Sequence, residues 1–100
     1  TVTLWFPQYS DVITSSALIT APAASIPVGF RPIFSTSMNM AVIDNSNEVS
    51  GSIIIDNTGG ISIGTNYANP VSGLIFHQAN FQIAGNGGFP HTCITYLIAG

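Results

Sequence analysis

One hundred residues make one domain's worth of chain, and 46% of them are apolar while only 5% are charged, against about 25% charged in a typical soluble domain. A net charge of −3, with Arg31 the lone base, argues against a nucleic-acid or anionic-bilayer partner, because such surfaces must neutralise phosphates with lysine and arginine. A single cysteine, Cys93, excludes an intrachain disulfide framework and any zinc cage built from cysteines.

Thr1 to Phe6 reads as a first strand, ended by Pro7, which lacks the donor a ladder needs. Val12 to Thr20 is a second candidate strand. The stretch APAASIPVGFRP, residues 21 to 32, holds three prolines and a glycine and reads as a stiff extended connection across the surface. From Ile33 to Asp44, Met38, Met40 and Val42 alternate with Ser37, Asn39 and Ala41, the period of two of a half-buried strand. DNSNE, residues 44 to 48, is turn chemistry. In VSGSIIIDNTGGISIG, residues 49 to 64, two β-branched runs flank DNTGG, the pattern of a hairpin with a glycine-bearing loop. A loop over 65 to 73 precedes a strand over Leu74 to Ile83, with Gln78 as the point where it could break. AGNGGFP, residues 84 to 90, reads as a flexible turn, and HTCITYLI, residues 91 to 98, as a last strand with Thr92, Ile94, Tyr96 and Ile98 on one face.

Ile, Val and Thr make up 29 residues, and Leu, Glu, Gln and Lys only 8, so strand formers dominate. Gly and Pro, 16 residues together, punctuate the chain at the spacing of a sandwich or barrel. The fold class expected is all-β, an antiparallel β-sandwich, with residues 1–100 as a single domain. No apolar run approaches the roughly 20 residues of a membrane-spanning helix, so membrane insertion is not expected. No basic segment precedes an apolar stretch and none of the eight asparagines lies in a glycosylation sequon, so no secretory mark is expected. So many apolar residues beside so little charge point to a permanent oligomer, whose interface resembles a core cut in half.

Each chemistry-bearing residue has a bland reading beside its functional one. Arg31 suits a bidentate contact to an acidic sugar or receptor loop; a structural pair with Asp44, Glu48 or Asp56 is preferred. His77 and His91 lack a nearby carboxylate or cysteine spacing, so no metal or other cofactor is expected. On a strand, Cys93 reads as a small core hydrophobe. The four carboxylates form no glycosidase-like motif, so an enzyme is not expected. GNGGFP lacks the lysine and helix of a phosphate cradle. Displayed loops are the better contact sites: Asn45 to Glu48, Asp56 to Gly60 and Asn66 to Pro70. They put Asn45, Asn47, Glu48, Asn57, Asn66 and the aromatic Tyr67 forward beside Arg31. Plain connection remains the simpler reading of any one loop.

Both ends carry a resemblance. Thr3-Leu4-Trp5 resembles the Thr-Leu-Trp that opens the head domain of adenovirus fibres, and Ile94-Thr95-Tyr96-Leu97-Ile98-Ala99 is similar to the Ser/Thr-Tyr-Ile-Ala ending of those heads. Together the anchors cover nine of the 100 residues. The length departs from mammalian adenovirus heads and resembles compact ones, such as those of atadenoviruses, so loop-borne receptor sites do not carry over. Gly29-Phe30-Arg31-Pro32 and Gly87-Gly88-Phe89-Pro90 also resemble bacteriophage tail-fibre tips. Either resemblance implies a homotrimeric head on a virion fibre, residues 1–6 joining it to a shaft, with a host-cell surface receptor as partner. The alternative is a free carbohydrate-binding or C1q/TNF-like module.

Overall fold

Where β-branched residues alternate with small or polar ones, the backbone extends. The computed structural model describes residues 1–12, 17–66, 80–82 and 85–98. Its strands are β1 (Val2–Phe6), β2 (Tyr9–Val12), β3 (Ile19–Ala21), β4 (Thr36–Asp44), β5 (Asn47–Ile55), β6 (Ile61–Thr65), β7 (Asn86–Phe89) and β8 (Thr92–Tyr96). A single 3-10 turn at Val28–Phe30 interrupts the strap between β3 and β4. No helix of the described residues is long and apolar enough to cross a membrane.

The strands form two antiparallel sheets. One has six strands in the order β2-β7-β4-β5-β6-β3, and the other is a ribbon of β1 and β8. In the ribbon Val2 faces Tyr96, Leu4 faces Ile94 and Phe6 faces Thr92, so these pairs share one side while Thr3, Trp5, Cys93 and Thr95 share the other. In the larger sheet Met38, Met40 and Val42 stand opposite Ile53, Gly51 and Val49, and Ile53 and Ile55 stand opposite Ile63 and Ile61. That is the inner face. The ribbon closes it: Ile94 and Tyr96 join Val42, Ile53, Ile55, Ile63, Phe81 and Phe89 in one buried cluster, with Val2, Leu4 and Phe6 packed against it. Phe6 meets Phe89 edge-on at 6.5 Å, and Tyr9 stacks on the same ring at 5.8 Å. The result is the all-β antiparallel sandwich that composition and rhythm imply.

The turns expected at DNSNE and DNTGG are present. Asn45 and Ser46, with φ of 50° and 63°, make the two-residue β4–β5 connection, and positive φ at both positions gives the twist that antiparallel strands need. The β5–β6 loop is closed by Asp56 N–H on Gly60 O at 2.9 Å and Gly59 N–H on Asp56 O at 3.0 Å, with Gly59 at φ +88°. Ile26 N–H reaches Gly59 O at 3.1 Å and Ala24 N–H reaches Thr58 O at 2.9 Å, so the strap is tied to that loop.

Four expectations need correction. The tract 84–90 is not a flexible turn: Asn86–Phe89 is a strand between β2 and β4. At Gly88 (φ +156°) a Cβ would collide with the Tyr9 carbonyl oxygen; the missing side chain lets β2 lie against β7. The strand expected over Val12–Thr20 is split, since β2 ends at Val12 and β3 starts at Ile19. Pro32 forms an isolated bridge with Ile98, which delays β4 to Thr36 and leaves Ile33 and Phe34 on the surface. Cys93 is half-buried on the ribbon's outward side, opposite Trp5, rather than in the core. Of the strand expected over Leu74–Ile83, Asn80, Phe81 and Gln82 are described; Phe81 is fully buried and bridges Ala17.

Candidate functional site

The six expected contact residues that the structure describes do not converge. Asn45, Asn47 and Glu48 lie at the β4–β5 turn, whereas Asn57 lies at the β5–β6 loop. The nine residues of β5 separate the two ends by roughly 27 Å at about 3.4 Å per residue. Arg31 belongs to the second end and is turned inward: its Nε donates to Ile26 O at 2.7 Å. Its side chain also lies against Gly59, so it braces strap against loop rather than pairing with Asp44, Glu48 or Asp56. Asn66 lies midway along the sheet, and Tyr67 and His77 fall outside the described residues.

What the fold does assemble is a groove on the outward face of the six-stranded sheet. Asn39, Ala41, Glu48 and Ser50 are exposed there, on the side of β4 and β5 away from the core. Their short side chains, beside Glu48, leave a shallow depression of about 510 Å³. Asn66 fixes its wall: Nδ2 donates to Ser50 Oγ at 3.0 Å and to Gly51 O at 3.1 Å, and lies 3.5 Å from Asn39 Oδ1. Asn66 Oδ1 is buried without a hydrogen-bond partner. Ala41 and Glu48 also border a second depression of about 300 Å³, lined further by Gln8, Tyr9, Ser10, Ile43, Phe89 and Pro90. The Ile43–Gly88 bridge pairs β4 with β7, and Ser10 stands opposite Gly88 on the same face. Tyr9, 41% exposed, pairs with Phe89 and stacks on its ring, so its side chain lies on the other side of the sheet from Glu48.

Chemically the groove offers amides, hydroxyls and one carboxylate. Such a surface recognises an uncharged polar or cationic group by hydrogen bonds. Glu48 was the one expected contact residue lining it. Gln8, Ser10, Asn39 and Ser50 were missed, although the alternation of β4 already put Asn39 and Ala41 on the solvent side; the approach of β2 had no sequence signal.

The ribbon's outward side is different. Trp5 (77% exposed), Leu97 (69%) and Phe34 (79%) stand in solvent, with Val28, Phe30 and Ile33 also exposed. Along β1 runs a groove of about 540 Å³ lined by Leu4, Trp5, Phe6, Ile26, Pro27 and Phe30 among others. Beside β8 runs another of about 450 Å³ that includes Phe34, Thr95 and Leu97. Tyr96, buried beneath, donates its hydroxyl to Phe30 O at 2.5 Å, and burial pushes its phenol above the ordinary pKa.

Other titratable groups are scattered. Asp44, 1% exposed, accepts Gln82 N–H on Oδ1 at 2.7 Å and leaves Oδ2 without a partner. His91 is exposed. Among the described residues no three His, Cys, Asp or Glu side chains gather as metal ligands would.

Fold and surface together define a class, an antiparallel β-sandwich with a polar groove on one layer and an apolar outer surface on the other. No protein-family model matches the chain, and no curated protein does.

Proposed function

We propose that this domain is the head of a homotrimeric viral attachment fibre, which binds a host-cell surface receptor and does no chemistry on it. The observation that carries the reading is the division of its surface. An uncharged apolar side made by the first and last strands suits burial against sister copies, and a hydrogen-bonding groove on the other layer suits a receptor. The Thr3-Leu4-Trp5 and Ile94–Ala99 resemblances supply the fibre context. On this reading the protein sits at the distal tip of a capsid fibre, residues 1–6 continue a shaft, and no cofactor takes part. Three copies of a weak site on one rigid head gain avidity without a new contact.

The test is binding of purified head to a panel of host cells. Saturable binding that weakens sharply when the head is made monomeric is the expected result. A folded trimer that binds no cell type, and whose Glu48→Gln variant behaves identically, would remove the receptor reading.

A phage tail-fibre tip would use the same trimeric logic on a bacterial surface. The carbohydrate-binding reading is favoured by the polar lining of the groove, whose amides, hydroxyls and carboxylate suit sugar hydroxyls. A glycan array with wild-type protein and Glu48→Gln separates it from a protein receptor.

A further inference from the structure

The apolar side of the ribbon has two unlike parts. One is a protruding edge, Phe34 and Leu97, among the most exposed apolar side chains described. The other is the groove along β1, bounded by Trp5 and Phe30. They are separated by the ribbon itself and by buried Pro32. A ring of three copies needs such a pair: cyclic association beyond a dimer is head to tail, so each copy must present two different, complementary surfaces.

We infer that the trimer closes head to tail, with the Phe34–Leu97 edge of one copy seated in the Trp5–Phe30 groove of the next. The inference rests on the homotrimer proposed above and names the surfaces that make it. Charge argues for a sister copy as the occupant. Neither groove is lined by a charged residue, and the chain as a whole is 5% charged. A foreign partner of ordinary composition, about a quarter charged, would bring charges into an apolar contact that offers them no counter-ion. Trp5, Phe30 and Phe34 stand exposed, and covering aromatic side chains such as these removes a large apolar area from water at each contact.

The arrangement leaves the polar groove free. That groove lies on the outward face of the six-stranded sheet, whereas the ribbon covers the inward one, so three grooves face away from the contacts between copies.

The test uses two variants of the full chain, Phe34→Glu (edge removed, groove intact) and Phe30→Glu (groove blocked, edge intact), followed by sedimentation velocity. Wild type is expected at three times the 10.4 kDa chain mass, and each variant alone at one times that mass. An equimolar mixture should recover a species of twice the chain mass, because one intact edge meets one intact groove. A mixture that stays monomeric overturns the pairing of this edge with this groove, and variants that remain trimeric overturn the assignment of surfaces; both leave the trimer standing. A wild type that is monomeric at micromolar concentration overturns the trimer and this inference with it. Circular dichroism checks that each variant is folded. Should either glutamate prevent folding, Phe34→Ser and Phe30→Ser replace them. The Cys93 thiol, beside Trp5, gives an independent readout in wild type: its alkylation should slow severalfold from the monomeric to the trimeric concentration range. An unchanged rate on trimerisation would count against the contact.

Discussion

On β1 and β8 the side chains that point away from the core are Thr3, Trp5, Cys93 and Thr95; on β4 and β5 they include Ser37, Asn39, Ala41, Glu48 and Ser50. Both sets arise from the same alternation of a half-buried strand. The first exposes a tryptophan and is flanked by Phe30, Phe34 and Leu97; the second exposes short polar groups around a carboxylate. The difference separates two kinds of partner. An apolar surface gains free energy only when covered, whereas a polar groove can stay wet and still bind through hydrogen bonds.

The comparison breaks most visibly if either outward face turns out to hold the protomer together. Beneath both lies Ile53, fully buried between the layers; Ile53→Ala should cost about 2–5 kcal/mol through lost burial and a residual cavity, measured by urea unfolding. A loss below about 1 kcal/mol would mean the core is not where the two sheets meet.

A smaller effect is expected where the ribbon is tied to the strap. Tyr96→Phe removes the bond to Phe30 O and should cost about 1–2 kcal/mol. The wild-type phenol is raised by burial in the folded state, against about 10 when unfolded. The unfolded chain therefore releases this proton first. The stabilisation is full below pH of about 10 and is lost as pH rises through the higher folded value. That alkaline limb should be absent from the stability profile of Tyr96→Phe.

The smallest stability change is expected in the groove. Glu48 is exposed, so Glu48→Gln should shift unfolding by no more than about 0.5 kcal/mol while weakening receptor or glycan binding. Equal binding by both proteins would take Glu48 out of the site and leave the groove's hydroxyls and amides to be tested separately.

Much of the fold was legible. DNTGG between two β-branched runs marked the β5–β6 hairpin, the Met38–Met40–Val42 alternation gave the buried side of β4, and Pro7 marked the end of β1. The glycine tract over 84–90 was misread because composition alone cannot tell a mobile turn from a strand packed so closely that only glycine fits. Arg31 stood out as the lone base, yet its role as a brace depends on a carbonyl and a loop from distant parts of the chain. Loop chemistry led to Asn45, Asn47 and Asn57 and so to two ends of one long hairpin. Ser10 and Glu48 border one depression through the pairing of β2 with β7 and of β7 with β4.

By itself the amino-acid order determined the strands, their turns and which side of each was greasy, because these follow from backbone preference and a period of two within a few neighbouring residues. Tertiary structure alone decided which strands became neighbours, and hence that the first and last strands would form a ribbon with Trp5 outside and that Glu48 would share a groove with Ser10. Neighbour choice depends on the burial and backbone pairing available to the whole chain at once, and no local stretch carries that information.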